Sequence, residues 1–199
     1  MYALLPGGNV NNPNNQSCST SVGLPSEEAI RNVIGPSYEP DKVLNVIKMM
    51  AGTEDMYQAS VGFIEALFQT EDVEPRIREM IMLRAAKVLH CQYEWEANTV
   101  LGRNVGLSDV EIEAAGMDGP VTGIDAKYVL ICAATDELSL RATLTDATLI
   151  QMLSRYGDVV SRKLILMIGW FNLLARFLNG CRVPLEDFSK LQKKTDPLG

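Results

Sequence analysis

The chain has 199 residues with 25 acidic and 18 basic side chains, a formal charge of −7 and a pI near 4.8, so it offers no basic stripe to neutralise phosphates, which argues against nucleic acid as a partner. With 47% hydrophobic and 22% charged residues it can bury one sizeable core as a single domain. Four cysteines at irregular spacing favour reduced thiols over a disulfide framework, and no paired Cys or His spacing points to a metal.

In chain order, residues 1–24 are rich in Asn, Gly, Ser and Pro, as in Asn9-Val10-Asn11-Asn12-Pro13-Asn14-Asn15, and read as an arm ahead of one domain over 25–199. The start Met1-Tyr2-Ala3-Leu4-Leu5-Pro6 lacks a basic region and a long apolar core, so it does not read as a secretory signal and the default location is cytoplasmic. From Pro25 onward the pattern is helical. Ser26 caps a first helix that Gly35-Pro36 stops, and further helices are expected near 40–51, 54–69, 75–89, 92–102, 108–116, 124–139, 145–156 and 159–179. Ser108 with Glu111 forms a capping box, and Thr145-Asp146 marks another start. No run sustains β alternation, so the fold class is all-α. The segment 159–179 is apolar on nearly every side, which calls for central burial or a subunit interface; its strongest apolar run, Leu164 to Ala175, is too short to span a bilayer.

Residues that could carry chemistry crowd together between Arg76 and Asp109. Pro75 suits a first helical turn, and Ile77, Met80, Ile81, Leu83, Val88 and Leu89 recur at helical spacing. His90-Cys91 then interrupts the pattern, and a second helix runs from Gln92 until Gly102 and Gly106 close it. At about 100° per residue, Cys91, Glu94 and Asn98 share one face of that helix, placing a thiol, a carboxyl and an amide on one wall. The same positions also fit a buried structural cysteine beside an ordinary i, i+4 pair. A helix starting at Cys91 would lower that thiol's pKa. His90, the sole histidine, is a candidate acid/base group, although adjacent residues on a helix point apart. Arg76, Arg78, Arg84 and Lys87 read as solvated faces and salt bridges, with Arg84 near enough to hold a substrate carboxylate.

Three groups of residues carry a resemblance: Pro75-Arg76-Ile77-Arg78-Glu79-Met80-Ile81-Met82-Leu83-Arg84, then Cys91-Gln92-Tyr93-Glu94-Trp95, then Gly102-Arg103-Asn104-Val105-Gly106-Leu107-Ser108. Together with downstream pieces including Gly169-Trp170-Phe171-Asn172 and Val183-Pro184-Leu185-Glu186, they make the chain similar to the carboxymuconolactone decarboxylase family over about residues 40–187. That family shares its fold with alkyl hydroperoxidase D, so the resemblance implies a helical bundle assembled as homo-oligomers, often trimers or hexamers, with sites near interfaces.

The peroxidase branch of the family carries a glutamate, then Cys-x-x-Cys, then a histidine. Here Glu79 and Cys91 match, while Glu94 stands at the second cysteine and Asn98 at the histidine. Without a resolving thiol the usual disulfide cycle cannot run. The decarboxylase-like branch often shows Tyr-Glu-Trp followed by a histidine; Tyr93-Glu94-Trp95 is kept and Asn98 replaces the histidine. Asn98 can orient an oxygen but cannot transfer a proton near neutral pH.

Three functions stay open. The first is a cofactor-independent acid/base enzyme that decarboxylates or isomerises a small lactone or keto acid, with Glu79, Glu94, Cys91 and His90 catalytic and Tyr93, Trp95, Asn98 and Arg84 binding the substrate. The second is a single-cysteine peroxidase or redox protein using Cys91. The third is a non-catalytic binding or assembly protein. The expected partners are a small carboxylate or lactone and further copies of the chain, with no cofactor, metal, nucleic acid or membrane.

Overall fold

A computed structural model describes residues 20–198, so most of the expected arm, Cys18 included, lies outside the described residues. The described residues are helical, with no strand among them. In chain order they form α1 (Glu27–Ile34), α2 (Asn45–Ala51), a 3-10 turn Glu54–Met56 that leads into α3 (Tyr57–Gln69), α4 (Pro75–Val88), α5 (Gln92–Asn104), α6 (Asp109–Ala115), α7 (Ala126–Arg141) and α8 (Asp146–Cys181), then a 3-10 turn Phe188–Leu191.

The helix starts follow local chemistry. Ser26, Ser108 and Thr145 each accept a backbone N–H of the first turn behind them, and Ser108 with Glu111 completes the expected capping box. Pro75 occupies the first turn of α4, where its missing N–H costs nothing. The expected separation between 145–156 and 159–179 is a break inside α8, where Gly157 takes φ 69° and ψ 176°, a conformation that favours glycine.

The expected helix from 40 begins only at Asn45, because its cap is supplied from far along the chain. Leu44 offers no capping side chain; instead Asn45 donates its N–H to Glu186 Oε1 at 2.5 Å and Val46 donates to the Tyr93 hydroxyl at 3.1 Å. Two orphan donors of α2 are thus satisfied by residues 141 and 47 positions away.

The central helix is α4, not the apolar 159–179 stretch. Every residue from Ile77 to Ala86 is buried, and α4 packs against α5, α6, α7 and α8. In α8, Leu164, Met167, Ile168 and Phe171 enter the core, whereas Val159, Leu166 and Leu173 remain more than half exposed. By length and composition α8 also meets the requirement for crossing a membrane, although 44% of its most apolar window is buried in this bundle.

Central burial of α4 carries two arginines and a glutamate inward, and each must be paired to be tolerated. Arg84 spends all five of its N–H donors: Nε and Nη2 on Asp136 at 2.5 and 2.7 Å, Nη1 on the carbonyls of Ala115 and Met117, and Nη2 also on that of Gly119. It ties α4 to α7 and pins the loop after α6.

Candidate functional site

The site grows from the joint between α4 and α5. After Val88 the chain turns through Leu89 and His90, with His90 at φ 53°, the left-handed region where glycine is usual. The Cys91 N–H reaches back to the Ala86 carbonyl at 2.8 Å and the His90 N–H to that of Lys87 at 3.2 Å, the two bonds of a Schellman turn. The end of α5 repeats the same turn with Gly106 at φ 92°, Leu107 bonding Gly102 at 2.8 Å and Gly106 bonding Arg103 at 3.0 Å. His90 therefore stands in a glycine's place. Its side chain is exposed while Cys91 is buried, so the adjacent pair is not a thiol–imidazole couple directed into one site.

The joint launches α5 so that Tyr93, Glu94, Ala97, Asn98 and Leu101 line a cavity of about 40 Å³. Leu44, Ile64, Met82, Phe171, Leu174 and Leu178 are among its apolar walls. No arginine, lysine or histidine is among the described residues that line it. At this size it takes water-sized occupants, so a larger ligand requires a wall to move. Most walls are helices, but Leu191 and Pro197 close one side from the C-terminal segment. That segment is held by Asn104 Nδ2 on the Leu191 and Lys194 carbonyls at 2.8 and 2.7 Å, and by Arg78 Nη2 on that of Thr195 at 3.2 Å.

Glu94 is the polar group with most to gain from an occupant. It is 3% exposed, and neither carboxyl oxygen has a hydrogen-bond partner. Burial alone raises its pKa well above the usual carboxylate range, which favours the neutral acid. Asn98, one turn on and 2% exposed, lines the same cavity. The expected shared face of Glu94 and Asn98 is thus a wall of a real void.

Tyr93 also lines the cavity, but its hydroxyl donates to Glu186 while accepting from Val46, so its one proton is spent. Burial first, and the Glu186 hydrogen bond second, push its pKa up. Glu186 is a site residue that sequence reasoning passed over: its side chain is 7% exposed, it receives Tyr93 and the Asn45 N–H on Oε1, and Lys190 Nζ sits 2.8 Å from Oε2. It was visible as part of a similar segment, yet nothing in its spacing tied it to Tyr93, 93 positions earlier.

Glu79 is fully buried on α4 but does not line this cavity; its Cβ approaches α5 at Gly102. One oxygen accepts from Arg78 Nε at 3.2 Å and the other has no partner. Burial raises its pKa to about 7, with Arg78 pulling the other way. Arg78, itself 3% exposed, stacks 4.0 Å above the Phe68 ring and lines a separate cleft with Glu74, Arg76, Thr195 and Asp196. The two expected acid/base carboxyls thus lie on neighbouring helices without sharing a chamber.

Three further expectations change. The Cys91 thiol, expected to be acidified by the start of α5, is pushed up to about 12, because burial, with Glu94 adding to it, outweighs the helix N–H groups of Glu94 and Tyr93. Arg84 has no donor left for a substrate carboxylate, as its five are committed to structure. Trp95 turns from the cavity toward α6, where a Cβ added to Gly116 would meet its ring at 2.9 Å.

Residues 54–136, which run from the turn before α3 into α7 and include the whole α4–α5 joint, match the model of a family described as Carboxymuconolactone decarboxylase family. The match stops short of the 40–187 span of the resemblance, leaving the α8 segments and Glu186 outside it. No curated protein matches the chain.

Proposed function

We propose, from the premise that the segment 54–136 belongs to the carboxymuconolactone decarboxylase family, that the chain is a cofactor-independent acid/base enzyme acting at the carbon next to a carbonyl group of a small lactone or keto compound. The observation that carries this reading is Glu94: a fully buried carboxyl with both oxygens unspent, on an otherwise apolar cavity. A carboxylic acid held neutral donates a hydrogen bond to a carbonyl oxygen and can release its proton as electrons move onto that oxygen or onto the neighbouring carbon. The surrounding walls are apolar, so this interaction acts at low dielectric. Asn98 orients the same substrate oxygen, and Tyr93, held by Glu186, lines the same cavity. Loss of CO2 from a neighbouring carbon and a double-bond shift both need this one donor.

The test is turnover of lactones and β-keto acids by Glu94→Gln, which keeps shape and hydrogen bonding but transfers no proton. Loss of turnover with unchanged folding supports the role; unaltered rates refute it. Raised pKa and full burial speak against the peroxidase alternative at Cys91. The exposed Val159, Leu166 and Leu173 on α8 support assembly with further copies, which sedimentation velocity checks: a monomer at micromolar concentration rules it out.

A further inference from the structure

The walls of the small cavity differ in how firmly they are held. Most stand on α2, α3, α4, α5 and α8, where displacement would break close helix packing, but Leu191 and Pro197 belong to the segment after α8. That segment has an anchored half and a lightly held half. In the first, Leu191 is fully buried, Phe188 sets its ring edge-on to Tyr93 with centroids 5.1 Å apart, and Glu186 accepts from Tyr93 and the Asn45 N–H. In the second, from Gln192 to Leu198, no residue is buried. The Lys194 carbonyl rests on Asn104 Nδ2 at 2.7 Å, the Thr195 carbonyl on Arg78 Nη2 at 3.2 Å, and Leu198 packs half-buried against the core. Between the halves Lys193 takes φ 66°, a left-handed conformation that a residue with a Cβ adopts at a cost. The lightly held half is also a partition. Pro197 closes one side of the cavity, Thr195 and Asp196 line the cleft of about 470 Å³ beside Arg78, and Phe68 lines both hollows.

We infer that residues 192–198 are a gate: they pivot at Lys193, leave Asn104 and Arg78, and join the cavity to the cleft while Leu191 stays seated. The swing exchanges two side-chain-to-carbonyl hydrogen bonds for bonds to water, a change of small net cost. It exposes Pro197 and Leu198, which are half-buried already, and releases Lys193 from its left-handed conformation. Arg78 does not follow, because Glu79, the Phe68 carbonyl and the Phe68 ring hold it in place. Asn104 is the latch, at the last residue of the same helix whose first turns carry Glu94 and Asn98. The gate answers the need for a wall that moves. It rests on the proposed function for what passes through it, whereas the motion itself needs no substrate.

Thiol alkylation reads the motion directly. Ala97 lines the cavity and is 7% exposed, so Ala97→Cys places a reporter thiol behind the gate, and Cys132, fully buried on α7 and outside the cavity lining, reports opening of the whole fold. Iodoacetamide, with peptide mass spectrometry, gives both rates in one sample. Position 97 should react at least about tenfold faster than Cys132, as local opening outruns global unfolding. Adding Asn104→Ala should speed position 97 about fivefold and change Cys132 far less. Asn104→Asp, of the same size but without an N–H to donate, should act alike. Equal rates at the two thiols, equal acceleration of both, or no response of position 97 to either Asn104 variant overturns the gate. Turnover that survives Glu94→Gln while position 97 behaves as expected overturns the acid role and leaves the gate standing. Turnover that depends on Glu94 while position 97 reacts no faster than Cys132 does the reverse.

Discussion

Glu79 and Glu94 are two fully buried glutamates on adjoining helices, and they differ in one neighbour. Glu79 has Arg78 at 3.2 Å, which partly offsets burial and leaves a group that titrates at about 7. Glu94 has no cation, so burial acts unopposed and favours its neutral form. Glu79 packs against α5 at Gly102; Glu94 is among the residues that line a small apolar void. The partner and the space in front of a buried carboxyl, more than its burial, decide whether it can serve chemistry.

The largest effect that can break this comparison is on rate. Glu94→Gln should lower turnover by about 10²–10⁴-fold, as loss of a positioned proton donor does, with the fold retained. Glu79→Gln should lower it far less, because that side chain does not reach the cavity. Steady-state kinetics on both variants decides; equal losses would mean that the two carboxyls act as one unit.

Next in size is Arg78→Met. It strips Glu79 of its ion pair and the Phe68 and Thr195 carbonyls of their donor, and should cost about 3 kcal/mol in urea unfolding. The loss should be greater at pH 8 than at pH 5, since Glu79 can protonate at the lower pH. A pH-independent loss would show that the hydrogen bonds to the carbonyls, and not the charge pair, dominate.

The titration of Glu79 gives a third test of similar sign and somewhat smaller reach. Its folded pKa of about 7 lies above the ordinary 4.5, so its contribution is fully present below about pH 4.5 and is lost as pH rises through 7. Stability should fall on the order of 3 kcal/mol over that window. Glu79→Gln should flatten that part of the profile. The raised pKa of Glu94 acts in the same direction, so some slope should persist in Glu79→Gln and disappear in the double variant.

Much of this scaffold was legible in the sequence because its signals are local. Ser26, Pro75, Ser108 and Thr145 mark helix starts with their own atoms, and Gly157 marks the break in α8 with its own backbone. The Glu94–Asn98 wall was legible too, since helical period alone puts the two on one face. Long-range pairings were not. The start of α2 depends on Glu186 and Tyr93, and the role of Arg84 depends on carbonyls in the loop after α6. Glu79 read as a partner of Glu94 because it matches the glutamate of the family that the chain resembles. Only the packing of α4 against α5 at Gly102 shows that it faces elsewhere. Composition marked 159–179 for central burial or a subunit interface, but it could not show that the charged face of α4 is the one enclosed, because those charges find partners inside.

The smallest effect tests the joint that sets Glu79 and Glu94 on neighbouring helices. His90 and Gly106 hold the same position in two Schellman turns, yet only Gly106 takes its left-handed conformation without steric cost from a Cβ. If His90 serves the turn alone, His90→Gly relieves that strain at the expense of a more flexible unfolded chain, and should raise stability by up to about 1 kcal/mol or leave it level. Turnover should then be unchanged at every pH, since the imidazole is exposed and the cavity lies on the far side of Cys91 in the chain. A drop in turnover would return His90 to the chemistry and make the joint, with Glu94, part of the acid/base apparatus.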